Sequence, residues 1–175
     1  MQKVLILDSY CNIDTNGLPI GHYVSFFRDM SSVLERSFDV TIACSEIYQK
    51  YLTDAKTIKI NTYPLKAKSN MVTKIKSYLS EIKIIKLLLN HNFDIFIMQG
   101  ERFTAQLLAL IFLNKTKLAN KKIYIVAYSS IFITEKSAKG LLRQALYYLA
   151  KQKLSGIITS IDKLEEIYGL KALVI

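Results

Sequence analysis

The sequence predicts an α/β protein: a doubly wound parallel sheet of about six to seven strands with helices on both faces. Three observations predict it. Short apolar runs alternate with longer helical patterns along the whole chain. The runs are β-branched and continuous, as strands buried on both faces require. The 175 residues are 51% hydrophobic with only six glycines and two prolines, which excludes a disordered or linker-rich chain and fits one substantial domain.

The elements follow in order. Val4-Leu5-Ile6-Leu7 is a buried strand ending at Asp8. A polar loop with Gly17, Pro19 and Gly21 leads to a helix from about His22 to Arg36. Phe38 to Ala43 is the second strand, and Ser45 caps a short helix through Leu52. Thr57 to Ile60 is a third, weaker strand. A long helix spans Met71 to Asn90, a fourth strand Phe93 to Met98 and a helix Glu101 to Asn114. Lys122 to Ala127 is the fifth strand, followed by a helix from Ser137 to Lys153. Gly156 to Thr159 is the sixth strand. Asp162 opens a short helix with Glu165 three residues on, the spacing of a capping box, and Lys171 to Ile175 begins another strand. The chain ends inside that apolar run, so a second domain is expected beyond it.

In such sheets the working loops lie beyond the carboxyl ends of the strands, here beginning at Ser9, Ser45, Gln99, Ser129 and Ser160. The first loop carries Gly17 and Gly21, which permit close backbone approach to a phosphate, with His22 at the helix start. The spacing is not the dinucleotide fingerprint, and an ordinary glycine turn is the plainer reading. Gln99-Gly100-Glu101 follows the fourth strand and Ser129-Ser130 the fifth, so both converge on the same crevice. Glu101 also suits a helix N-terminus on dipole grounds alone, and the serines also suit a turn. His91 falls on the opposite edge as a helix C-terminal residue, and Cys11 reads as a small apolar filler. The chain has no metal-ligand spacing, Walker loop or nucleophile elbow. Its two cysteines lack redox spacing, and a reduced cytoplasmic setting is the default.

The net charge is +10, and twenty of the 24 basic residues are lysine. Residues 56–90 hold eight lysines and one acid, Glu81. Such a balance points either to an anionic partner or simply to a solvated face. Within the long helix stand Lys74, Lys76, Lys83 and Lys86, and the last three share an arc of about 80° at 100° per residue. That face suits an anionic membrane surface. Nucleic acid is not expected, because arginine is scarce and no glycine–aromatic RNA signature is present. The longest charge-free apolar stretch, Phe103 to Asn114, is too short to cross a bilayer.

Several segments carry a family resemblance: Lys3-Val4-Leu5-Ile6-Leu7, the loop into Gly21-His22-Tyr23-Val24, Phe38-Asp39-Val40-Thr41-Ile42, Phe93 to Gln99, and Ile157 to Ser160 with the helix around Glu165 to Tyr168. In this order they resemble the Rossmann-like N-terminal domain of GT-B glycosyltransferases, specifically the group-1 family of retaining nucleotide-sugar transferases. Many members have histidine at the ends of the fourth and fifth strands, where this chain has Gln99 and Ser129.

The resemblance implies that residues 1–175 are the acceptor-side domain, and that the donor-binding C-terminal domain lies elsewhere or in a separate subunit. It implies no cofactor in this domain, a nucleotide-sugar donor in the full-length enzyme, and no transfer by this chain alone. Gly17, Gly21 and His22 would line the cleft near the donor diphosphate. Gln99, Glu101 and Ser129 would meet a lipid-linked or saccharide acceptor, with Gly100 and Ser130 in the same loops. The lysine helix would hold the domain peripherally at the inner face of the membrane. No catalytic residue is assigned. The competing readings are a non-catalytic module or one chain of a two-polypeptide transferase, and an unrelated flavodoxin-like nucleotide or flavin binder.

Overall fold

The computed structural model describes residues 1–9, 21–61, 70–99, 103–112, 120–127, 134–159, 161 and 164–174. Its elements are β1 (Lys3–Leu7), α1 (Gly21–Leu34), β2 (Asp39–Cys44), α2 (Glu46–Gln49), β3 (Thr57–Lys59), α3 (Met71–Leu88) and β4 (Ile95–Gln99). There follow α4 (Phe103–Phe112), β5 (Lys122–Val126), α5 (Ala138–Ala150), β6 (Gly156–Thr159), α6 (Leu164–Tyr168) and β7 (Ala172–Val174).

All seven strands pair in parallel, in the order β3-β2-β1-β4-β5-β6-β7. This is the expected Rossmann-like sheet. Register places Val4 beside Val40 and Ile95, and Leu7 beside Ala43 and Met98. Alternation along each strand then divides the core. Val4, Ile6, Val40, Ile42 and Ile97 pack under α1 and α2 with Phe27, Met30 and Tyr48. Leu5, Leu7, Phe96, Met98 and Ile125 pack on the other face with residues of α3, α4, α5 and α6.

The helices start where side-chain caps are available. Ser45, Asn70 and Ser137 each accept a backbone N–H, from Tyr48, Thr73 and Gly140. At the other end of α4, the Lys153 ammonium donates to the carbonyls of Leu110 and Ile111, covering acceptors the helix leaves open.

Some boundaries differ from expectation. The helix after Ser45 ends at Gln49, because the chain turns so that the Tyr51 N–H bonds the Tyr48 carbonyl. The fourth strand begins at Ile95; Phe93 precedes it and packs on Phe96 with ring centroids 5.4 Å apart. Asp162 lies outside the described residues, and the Glu165 carboxylate accepts the Ala172 N–H at 3.0 Å, tying α6 to β7.

Candidate functional site

The strand order reverses between β1 and β4, with α1 and α4 packed on opposite faces of the sheet, and in sheets of this kind ligands bind at the carboxyl edge of such a switch point. Asp8 and Ser9 follow β1 there, and Gln99 ends β4. The Asp8 N–H still donates to the Ala43 carbonyl at 2.9 Å, extending the ladder one residue beyond Leu7.

Residues Asp8 and Ser9 diverge. Strand parity puts Asp8 on the α1 side with Val4 and Ile6, in line with Gln99, because Leu7 is level with Met98. Ser9 goes to the opposite side, where its hydroxyl donates to the Glu81 carboxylate of α3 at 2.5 Å. The same Glu81 oxygen accepts from the Gln106 amide of α4 at 3.3 Å. The Gln106 amide also donates to the main-chain carbonyl of Gln99. Helices α3 and α4 are thereby tied to the ends of both switch-point strands.

Asp8, Ser9, Glu81 and Gln99 are each 1% exposed and Gln106 is 0% exposed. The main chain of Gln99 is held, yet neither its side-chain nitrogen nor its side-chain oxygen has a hydrogen-bond partner among the described residues. A buried primary amide left in this state is unfavourable, since it has given up water and gained nothing. Chemically it offers two donors and an acceptor without net charge. Farther along the same edge, Thr159 is spent locally, its hydroxyl oxygen accepting the Ile161 N–H at 3.0 Å.

Of the residues singled out from sequence, the structure places Gln99 at the switch point and Gly21 at the first position of α1. His22 lies in the first turn of that helix, with its side chain outside the description. Gly17, Gly100, Glu101, Ser129 and Ser130 lie outside the described residues, as does Cys11. His91 is at the amino edge, where it lines a hollow of about 210 Å³ with Lys3, Asp39 and Phe93. No group of three or more His, Cys, Asp or Glu side chains able to hold a metal occurs among the described residues.

Lys76, Lys83 and Lys86 are exposed on α3, while Ser77, Glu81, Ile85 and Leu88 face inward; the Lys74 side chain is outside the description. Met71, Val72, Ile75 and Leu79 are exposed on the same helix. No helix among the described residues is long and apolar enough to cross a membrane.

Asp8, Glu81 and Gln106 were not anticipated as site residues, though each leaves a trace. Asp8 is a carboxyl set directly on the end of the apolar run Val4 to Leu7. Glu81 falls on the inward period of α3, four residues from Ser77 and from Ile85. Gln106 is a lone amide within the apolar run Ala105 to Phe112.

No family model matches the chain, and no curated protein matches it. Among solved structures, it is similar to one described as the glycotransferase of kitacinnamycin, at 9% sequence identity and a TM-score of 0.47. That alignment covers 90% of this chain and 44% of the other, so the chain spans less than half the length of that neighbour.

Proposed function

We propose that the chain is the acceptor-binding half of a sugar transferase of the GT-B kind, working on a cell-surface polysaccharide or glycolipid acceptor. The observation that carries this reading is the buried, unpartnered carboxamide of Gln99 at the switch point of a Rossmann-like sheet, a neutral group placed to meet a hydroxylated ligand. The ordered sequence pattern that resembles the group-1 transferases supports it. In this reading the nucleotide-sugar is held by a second domain or a separate subunit, and this chain positions the acceptor.

Sugar transfer from a nucleotide-sugar to a lipid or saccharide acceptor fraction tests the division of labour. The native protein transfers, while the 175-residue chain alone does not; equal transfer by the chain alone refutes it. The intact mass of the native protein adds the arrangement. A mass of roughly twice 20.0 kDa places both halves in one polypeptide, and a mass matching these residues places the donor site in a partner.

The exposed lysines of α3, beside Met71, Val72, Ile75 and Leu79, support a peripheral membrane position. Each lysine near an anionic surface contributes about 1 kcal/mol, so replacing Lys76, Lys83 and Lys86 with glutamine should weaken binding to phosphatidylserine vesicles by roughly two orders of magnitude. Binding by the unaltered chain should also fall as salt rises. Vesicle binding that the triple substitution leaves intact refutes the membrane contact.

A further inference from the structure

We infer that the outer face of α5 is a second membrane contact, which buries an uncharged stripe among lipid acyl chains beside the lysines of α3. The inference rests on the membrane position proposed for α3 and extends it across the neighbouring helices.

The first support is the stripe itself. At 100° per residue, Ala138, Leu141, Leu142, Ala145, Tyr148 and Leu149 fall within an arc of about 120° on α5. All six are exposed, and the four large side chains among them are between 56% and 69% exposed. Gly140, Tyr147 and Ala150 occupy the inward side of the same helix. Arg143 is turned away from the stripe, reaching Glu135 at 3.1 Å and Thr104 of α4 at 3.3 Å. A helix that is apolar toward solvent as well as toward the core has an outer face suited to something other than water.

Continuity is the second support. Helices α3, α4 and α5 pack side by side over the same half of the core, so their outer surfaces face one way. Phe112 at the end of α4 is 76% exposed, and Met71, Ile75 and Leu79 are exposed on α3. The apolar surface of α5 therefore continues one that α3 already presents.

Charge decides what covers this surface. Helices α3, α4 and α5 hold one acid among them, Glu81, and it is buried. Lys76, Lys83, Lys86 and Lys139 are exposed on the same helices. A second copy docked on this face would set lysine against lysine, with no exposed carboxylate of these helices to offset them. A bilayer containing anionic lipid accepts both parts, its headgroups meeting the ammonium groups while the stripe enters the acyl boundary. The thirteen residues of α5 make a helix of about 20 Å, too short to cross a bilayer and suited to lie in its plane. Tyr148, apolar in its ring and polar at its tip, suits the interface between the two.

Tryptophan fluorescence tests this, because the chain has no tryptophan of its own. Tyr148→Trp puts a single reporter on the stripe, and Tyr51→Trp puts one at an exposed position on the α1 side. Both proteins are mixed with equimolar phosphatidylcholine and phosphatidylserine vesicles whose phosphatidylcholine carries brominated acyl chains. Tyr148→Trp emission should be quenched and Tyr51→Trp emission should not. Replacing Leu142 and Leu149 together with glutamine should weaken vesicle binding about tenfold or more, without lowering Tm, since both side chains are exposed. Bound vesicles with unquenched Tyr148→Trp emission, or undiminished binding by the double variant, overturn the α5 contact and leave the α3 reading standing. A dimer in analytical ultracentrifugation that the double substitution turns into a monomer gives the stripe to a second copy and likewise overturns it. Absence of vesicle binding by the unaltered chain refutes the membrane position itself, and the inference with it.

Discussion

Replacing Gln99 with methionine should stabilise the unliganded protein, although it is a substitution at a buried position of a central strand. Both polar atoms of this side chain are buried and without partners among the described residues. An unsatisfied buried polar group costs about 1–3 kcal/mol, and methionine removes the whole carboxamide. Methionine is unbranched, close in volume and able to follow an irregular space, so repacking should cost less than about 1.5 kcal/mol. The difference is a gain of up to roughly 2 kcal/mol. For a chain of 175 residues that raises Tm by several degrees, at about 2–4 °C per kcal/mol.

The same substitution at Gln106 provides the contrast. Its amide makes two hydrogen bonds, to the Glu81 carboxylate and to the Gln99 carbonyl. Gln106→Met leaves a buried carboxylate short of a donor and should cost about 2–4 kcal/mol. Urea unfolding at 25 °C, with m compared across the three proteins, measures both effects. If Gln99→Met lowers stability by as much as Gln106→Met, the amide has a partner in the free protein, and the case for a ligand-directed side chain fails.

Gly140 sits in the first turn of α5, where an added Cβ would lie 1.9 Å from the Glu135 carbonyl oxygen. Gly140→Ala must therefore displace backbone and should cost roughly 1–3 kcal/mol, read as a lower Tm; an unchanged Tm refutes the close approach. Tyr147 donates its hydroxyl to the Tyr168 carbonyl, and burial raises both phenols well above their usual value of 10.0. The folded state thus holds protons that the unfolded chain releases, so this contribution is complete below pH 10 and is lost as the pH climbs above it. Tyr147→Phe should cost about 0.5–1.5 kcal/mol at neutral pH and flatten the alkaline decline, and urea midpoints across the alkaline range showing an unaltered slope would refute this.

The sheet was legible because strands buried on both faces leave continuous apolar runs. Val4 to Leu7 and Gly156 to Thr159 are buried almost throughout, and periodicity alone locates them. Boundaries were less legible where an apolar residue packs without being in an element. Leu52 is 2% exposed yet follows a turn, and Phe93 is 5% exposed yet precedes β4. Hydrophobicity reports burial in both places and says nothing of the backbone. Gln99 was legible from its position after a strand. Its neighbours were not, because the level of Asp8 beside Gln99 follows only from the β1–β4 register, and Ser9 meets Glu81 across 72 residues of chain. A single polar residue within an apolar run acquires meaning only when register supplies what stands beside it.

The net charge illustrates the same separation between composition and site. A charge of +10 describes what solvent sees, since lysine keeps its ammonium in water and a buried charge is costly without hydrogen bonds. Among the described residues, the charged ones that are buried are Asp8 and Glu81, both acidic. One helix carries both signs. Lys83 follows Glu81 by two residues, which turns it about 200° around the axis of α3. Lys83 is therefore exposed, while Glu81 reaches Ser9 and Gln106 beneath the helix. An anionic partner inferred from composition consequently belongs to the outer face of α3, whereas the carboxyl of the same helix is spent inside the fold on Ser9 and Gln106. Salt should weaken an anionic contact at that outer face while leaving the stability lent by the Ser9–Glu81–Gln106 hydrogen bonds nearly unchanged, because screening acts on exposed charges separated by water and little on hydrogen bonds made in a buried interior.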